Sequence, residues 1–304
     1  MTRTRIRLIG FPIDLGADRR GVDMGPSALR IADIDRRLET LGYDVIDEGD
    51  IPIRNIEVSE VHDPRLKYLP EIAEMSAVLA ARVKSALDDG DFPVVLGGDH
   101  SMSIGSLAGI GAHCAERGKT LGVIWIDAHA DMNTAETTPS GNIHGMPLAV
   151  AMGYGHPTLT SLMMDGPKLD PTNVAIIGLR SIDTGERDLI RETGVAAYTM
   201  FDVDRLGIYH IASRVLEDMA RRVDHLHISF DCDGVDPSVA PGVGTPVPGG
   251  LSFRETHLFM EMISEVEAFA SFEVAEVNPI LDVRNSTAIF AAEVVASSMG
   301  KRIL

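Results

Sequence analysis

Cysteine is scarce in this 304-residue chain, which has only Cys114 and Cys232. Two thiols cannot build a disulfide framework, so packing is their default role. Basic residues are also few: 27 Lys and Arg against 45 Asp and Glu leave a formal net charge of -18. A surface of that sign repels phosphate backbones and anionic membranes and gathers cations, whether metal ions or cationic substrates. Nucleic-acid binding is therefore disfavoured. No apolar run reaches the ~18 residues of a membrane span. In the opening MTRTRIRLIGFPID, Asp14 interrupts the apolar run too early for a signal peptide. A cytoplasmic protein is expected. Low-complexity tracts and internal repeats are missing as well. With 45% apolar and 24% charged residues, the composition is that of one globular domain, taken as 1–304.

What is present is an alternation of short apolar runs with longer segments of helical period. Strands are expected at 5–12, 44–47, 93–96, 121–126, 174–177, 196–199, 226–230 and 272–277. Helices are expected at 26–41, 70–87, 211–222, 252–263 and 287–299. In the first of these Ile31, Ile34, Leu38 and Leu41 share a face. Parallel neighbours need a crossover, usually a helix, so the pattern predicts an α/β fold with a mostly parallel sheet covered on both faces. The stretch 133–142, rich in Thr, Ser, Gly and Pro, has neither signal and is read as a functional loop.

Three apolar strands run into metal-ligand residue types. PVVLGGDHS brings His100, LGVIWIDAHAD brings Asp127, His129 and Asp131, and LHISFDCDGVDP brings Asp231 and Asp233. Residues two apart on a strand point the same way, so each set is spaced to converge, at the edge where open parallel sheets place ligands. Four carboxylates and two imidazoles exceed one four-coordinate zinc, and their mutual repulsion asks for two divalent ions. Carboxylate with some imidazole and no thiolate suits manganese, with zinc, cobalt or iron as alternatives. Cys232, of opposite parity, should face away and pack. His225 and His227 lie deeper on their strand, where hydrogen bonding beneath the site is the expected role. His62, His113, His156, His210 and His257 are read as ordinary surface or partly buried residues.

The segments GGDHS (97–101), DAHAD (127–131), SGNIHG (140–145), SFDCDGVDPSVAPGVGTPVPGG (229–250) and EVNP (276–279) together resemble the ureohydrolase family, and its arginase members most. The resemblance implies a single-domain α/β fold with a central eight-stranded parallel sheet and two Mn2+ per chain. It implies ligation of one ion by His100, Asp127, Asp131 and Asp231 and of the other by Asp127, His129, Asp231 and Asp233, with Asp99 left outside. It further implies hydrolysis of the guanidino group of L-arginine to L-ornithine and urea by a hydroxide bridging the metals. Asp131 would pass a proton to the departing nitrogen, His144 would shuttle protons, and Glu276 would pair with the guanidinium. Asn133, Thr138 and Ser140 would hold the α-carboxylate, and Asp183 and Glu186 would face the α-amino group. Ser181 stands where many relatives of this type carry aspartate, which weakens one outer contact. A homo-oligomer, trimer or hexamer, is implied too. Three alternatives stay open: a ureohydrolase acting on agmatine or guanidinobutyrate, a one-metal deacetylase-like amidohydrolase, and a non-catalytic metal-binding protein.

Overall fold

The computed structural model describes residues 5–54 and 56–303. Eight strands are formed: β1 (Arg5–Phe11), β2 (Asp44–Asp50), β3 (Phe92–Gly97), β4 (Leu121–Ile126), β5 (Val174–Leu179), β6 (Ala196–Thr199), β7 (His225–Asp231) and β8 (Phe269–Ala275). They make one sheet in the order β2-β1-β3-β8-β7-β4-β5-β6, with every pairing parallel. The helices are α1 (Gly25–Ile31), α2 (Ile34–Thr40), α3 (Leu69–Asp88), α4 (Met102–Glu116), α5 (Pro147–Ala151), α6 (Pro157–Thr160), α7 (Thr184–Thr193), α8 (Met200–Leu206), α9 (Ile208–Arg222), α10 (Phe253–Ile263) and α11 (Ser286–Ser298).

Strand alternation divides the core in two. Ile124 and Ile126 point to one face, where α1, α2 and α8 to α11 pack. Leu121, Val123 and Trp125 point to the other, under α3, α4 and α5. With both faces covered, β3, β4, β5 and β7 are buried along their whole length, as their unbroken apolar runs require.

All eight expected strands form; the short helices α5 to α8 were not among the expected elements, and three further differences have a physical reason. The helix expected at 26–41 is two helices, because Asp33 adopts a left-handed backbone (φ 57°) between them. The turn rotates the face, so Ile34 and Leu38 are buried while Ile31 is 75% exposed. Helix α4 has no counterpart among the expected elements. It is buried nearly all round, so no polar stripe reveals its period. Its glycines are needed for contact: a Cβ at Gly109 would lie 2.4 Å from the Ala80 carbonyl oxygen of α3. Finally, β8 closes at Ala275, and Glu276 follows it in a left-handed conformation (φ 64°) rather than on the strand.

Candidate metal centre and active site

The site is built at the carboxyl ends of five adjacent strands, β3, β8, β7, β4 and β5. The expected ligands do meet, although turns bring them together more than strand parity does. Strand β4 ends at Ile126, so 127–131 is already loop, and Asp131 is left-handed (φ 51°). Asp231 closes β7, and Asp233 sits in a one-turn 3-10 helix (Cys232–Gly234), its amide donating to Asp231 Oδ1 at 2.7 Å.

His100 Nδ1 lies 3.1 Å from Asp127 Oδ2, 3.0 Å from Asp131 Oδ2 and 3.1 Å from Asp231 Oδ2. It is buried and makes an aligned hydrogen bond to none of them. Four donors around one point, none satisfied by another, fit a cation better than a proton. His129 Nδ1 lies 3.4 Å from Asp127 Oδ1 and 3.1 Å from Asp233 Oδ2. Donor atoms of His100, Asp127 and Asp231 fall within 4.8 Å of one another, and so do those of Asp127, His129 and Asp233. Asp127 thus offers one oxygen to each set. Oxygen and imidazole donors without thiolate fit hard or borderline divalent ions such as manganese.

The electrostatics point the same way. Burial raises the Asp231 carboxyl well above its usual range, and the charges of Asp233 and Asp127 push in the same direction. Burial opposes charging His129, yet Asp233 and Asp127 outweigh it and raise the imidazole to about 12. The field that protonates these histidines is the field that attracts cations.

Surrounding contacts fix the ligands. His100 Nε2 meets Ser229 Oγ at 2.8 Å, and its ring stacks on Trp125 with centroids 4.1 Å apart. Trp125 Nε1 donates to Asp127 Oδ2 at 2.9 Å. Asp99 stays out of the ligand set and accepts the amides of Gly16 (2.8 Å) and Ser101 (2.9 Å). Gly98 passes so close to β1's exit that an added Cβ would lie 1.8 Å from the Ile13 carbonyl oxygen. Gly98→Ala should therefore cost about 1–3 kcal/mol or more through overpacking. The check is a lower urea midpoint at unchanged slope.

Beside these ligands opens a cavity of about 300 Å³, lined by His129, Asp131, Asp231 and Asp233 and by every expected catalytic and substrate residue. His144 Nδ1 meets Glu276 Oε1 at 3.0 Å, and the same oxygen accepts the His100 amide at 3.1 Å. Burial works against the His144 imidazolium, but Glu276 prevails and raises it to about 9. Asn133 Nδ2 donates to Asp183 Oδ2 at 2.8 Å. Thr138 Oγ1 accepts the Gly141 amide and Ser140 Oγ the Asn142 amide, so the loop 133–142 is braced internally. Asp183 and Glu186 form a capping box at the start of α7, a role the D-x-x-E spacing carried and the sequence reading passed over. Ser181 also lines the cavity.

Other expectations resolve simply. Cys114 and Cys232 are free and buried, and Cys232 packs in the core on the α8 to α11 side. His225 Nε2 and His227 Nδ1 both meet Ser271 Oγ at 2.9 Å, below the site. His113 is more buried than expected, pairing with Asp88 at 2.8 Å. Thr245 was not singled out: its hydroxyl donates to Asp233 Oδ2 at 2.8 Å, a contact across 12 residues that no local spacing reveals. Lys67 was missed for the same reason, its ammonium meeting Asn142 Oδ1 and Asp18 Oδ1 at 2.8 Å each.

A carboxylate-imidazole cluster at the carboxyl edge of a parallel sheet, opening on a polar cavity with a paired His and Glu, defines a hydrolase of the metal-dependent α/β class. The chain belongs to the arginase family, whose profile matches residues 4–300. It is 53% identical to the arginase of Bacillus caldovelox over 300 residues, covering 98% of this chain and 99% of that one. It is 51% identical to the arginase of Bacillus subtilis (strain 168), covering 98% and 99%. The solved structure of the Bacillus caldovelox arginase superposes with a TM-score of 0.95 at 52% identity, covering 99% of this chain and 100% of that one.

Proposed function

We propose that this chain hydrolyses L-arginine to L-ornithine and urea at a centre of two manganese ions. The observation that carries the reading is one cavity lined both by residues of the ligand cluster and by the loop of neutral donors. That pairing of carboxylates with neutral donors suits a substrate carrying both a guanidinium and an α-carboxylate. The whole chain, 1–304, is read as one catalytic domain.

His100, Asp127, Asp131 and Asp231 would hold one ion, and Asp127, His129, Asp231 and Asp233 the other. A pair of divalent ions, when bound, lowers the pKa of water from 15.7 towards about 7 and so supplies a nucleophile at neutral pH. A guanidinium needs this, because its carbon is deactivated by delocalisation and the group stays protonated in water. The chain's own residues do the rest. Glu276 gives Oε1 to His100 and His144, which leaves Oε2, beside Gly244, to take a charge-assisted hydrogen bond from the guanidinium. Asp131 carries a proton to the nitrogen that departs as the C–N bond breaks. His144 exchanges protons with solvent: its side chain is 20% exposed, and an imidazole kept protonated by Glu276 is a proton donor at neutral pH. Asn133, Thr138 and Ser140 would hold the α-carboxylate, with Asp183 and Glu186 towards the α-amino group. The net charge of -18 favours approach of a cationic substrate.

Urea release from L-arginine, agmatine and 4-guanidinobutyrate after manganese loading tests the assignment. Arginine should be hydrolysed with the highest kcat/KM, and a preference for agmatine would move the activity to the decarboxylated substrate. The double substitution Asn133→Ala with Ser140→Ala should raise KM for arginine far more than for agmatine, which has no carboxylate to lose. Equal effects on both would remove the basis for the substrate choice.

Cytoplasmic residence and a homo-oligomer, trimer or hexamer, belong to the same reading. No helix among the described residues is long and apolar enough to cross a membrane. Phe201, Leu206 and Tyr209, on the consecutive helices α8 and α9, are each exposed apolar side chains, and burial of such residues favours association with a second copy. Sedimentation equilibrium should return a multiple of the 32.7 kDa chain mass, and a monomer would remove this part.

A further inference from the structure

Arg180, the residue just after β5, has a half-buried guanidinium surrounded by backbone carbonyls. Its Nε donates to Val247 O at 3.1 Å, and Nη1 to Gly178 O and Gly234 O at 3.1 Å each. Its Nη2 reaches Asp233 O at 2.6 Å, Val247 O at 2.7 Å and Val235 O at 3.3 Å. Five carbonyls from three segments thus converge on one side chain, and among the described residues it forms no ion pair with a carboxylate. The fit is tight: a Cβ at Gly250 would lie 2.6 Å from Nη2.

The segments it joins all bear on one half of the ligand cluster. Two belong to the Asp233 turn and to the loop that carries Thr245, whose hydroxyl holds Asp233 Oδ2. The backbone amides of Arg180 and Ser181 both donate to Ala128 O at 3.0 Å, which anchors the loop between Asp127 and His129. Ala128 in turn donates to Asp233 Oδ1 at 3.2 Å. The His100 half is held by different groups, Glu276 and Ser229. We propose that Arg180 is a positioning residue chiefly for the metal subsite that contains His129 and Asp233, which it assembles by clamping the 233–235 turn to the 245–250 loop. This rests on the two-ion reading above.

A second possible role is distinguishable. A guanidinium behind four aspartates is also a fixed positive charge, and a charge acting alone would repel cations. Lysine keeps that charge but cannot span five carbonyls with one ammonium. The experiment is calorimetric titration of Mn2+ into chelator-treated wild type and Arg180→Lys, with folding monitored by circular dichroism. Wild type should bind two ions per chain, and Arg180→Lys should weaken one by about 10–100-fold, the scale for outer partners of metal ligands. The other, which shares Asp127 and Asp231 with it but neither His129 nor Asp233, should be weakened by a clearly smaller factor. Two unchanged affinities in the lysine variant would mean that Arg180 acts only as a charge, and equal weakening of both would mean a general structural role; either overturns the proposal. Should Arg180→Lys not fold, the near-isosteric Thr245→Val tests the same clamped loop. It must show the same unequal loss, and symmetric loss or no loss rejects the idea. A wild type that binds a single ion would instead defeat the two-ion reading itself.

Discussion

Asp131→Asn is expected to lower kcat on arginine by about 10²–10⁴-fold, the range for losing a positioned acid-base group, with the protein still folded. Asparagine is the informative choice because position 131 is left-handed (φ 51°), a conformation Asn and Asp tolerate better than other non-glycine residues. Alanine would add backbone strain to the chemical loss. The Asp131 carboxylate does two things that an amide cannot. It presents a charged oxygen 3.0 Å from His100 Nδ1, within the ligand cluster, and it can receive and release a proton in the cavity it lines. KM should move much less than kcat, since substrate recognition is assigned to Glu276 and the loop 133–142. Steady-state kinetics at saturating Mn2+ reads both parameters. A loss of kcat smaller than about tenfold would take the proton-transfer role away from Asp131.

Removing divalent ions by chelation should abolish activity and lower the melting temperature together, and manganese should restore both. Asp127, Asp131, Asp231 and Asp233 are all buried, so each has given up hydration for a position beside like charges. Ions that bind the folded chain and not the unfolded one stabilise it by about 4 kcal/mol per site at a free concentration 1,000 times Kd. Differential scanning calorimetry with and without chelator measures the shift. An unchanged melting temperature would indicate that the cluster is compensated by protons and does not need cations.

The strand framework was legible because strands buried on both faces need continuous apolar runs, and Leu121 to Ile126 or Val174 to Leu179 have little else to become. Helix α4 was not, because burial on all sides erased the periodicity; its Gly105 and Gly109 are points of close approach to α3. Residues 26–41 read as one helix because hydrophobic spacing is blind to a single left-handed residue such as Asp33.

At the site, the residues singled out by type do converge in space, while the geometric reason offered for them was incomplete. Asp131 and Asp233 reach the cluster through a left-handed loop and a 3-10 turn, not by alternation along a strand. Glu276 likewise leaves its strand before turning inward. The supporting residues were the illegible part. Thr245, Arg180 and Lys67 act on groups far away in sequence, and a threonine, arginine or lysine outside a recognised spacing carries no mark of its partner.

The most direct test of a paired-cation centre is an anomalous difference map from crystals grown with manganese. Two peaks per chain are predicted, one beside His100 and Asp131 and one beside His129 and Asp233, with Asp127 and Asp231 next to both. A single peak, or manganese bound away from these six side chains, would contradict it.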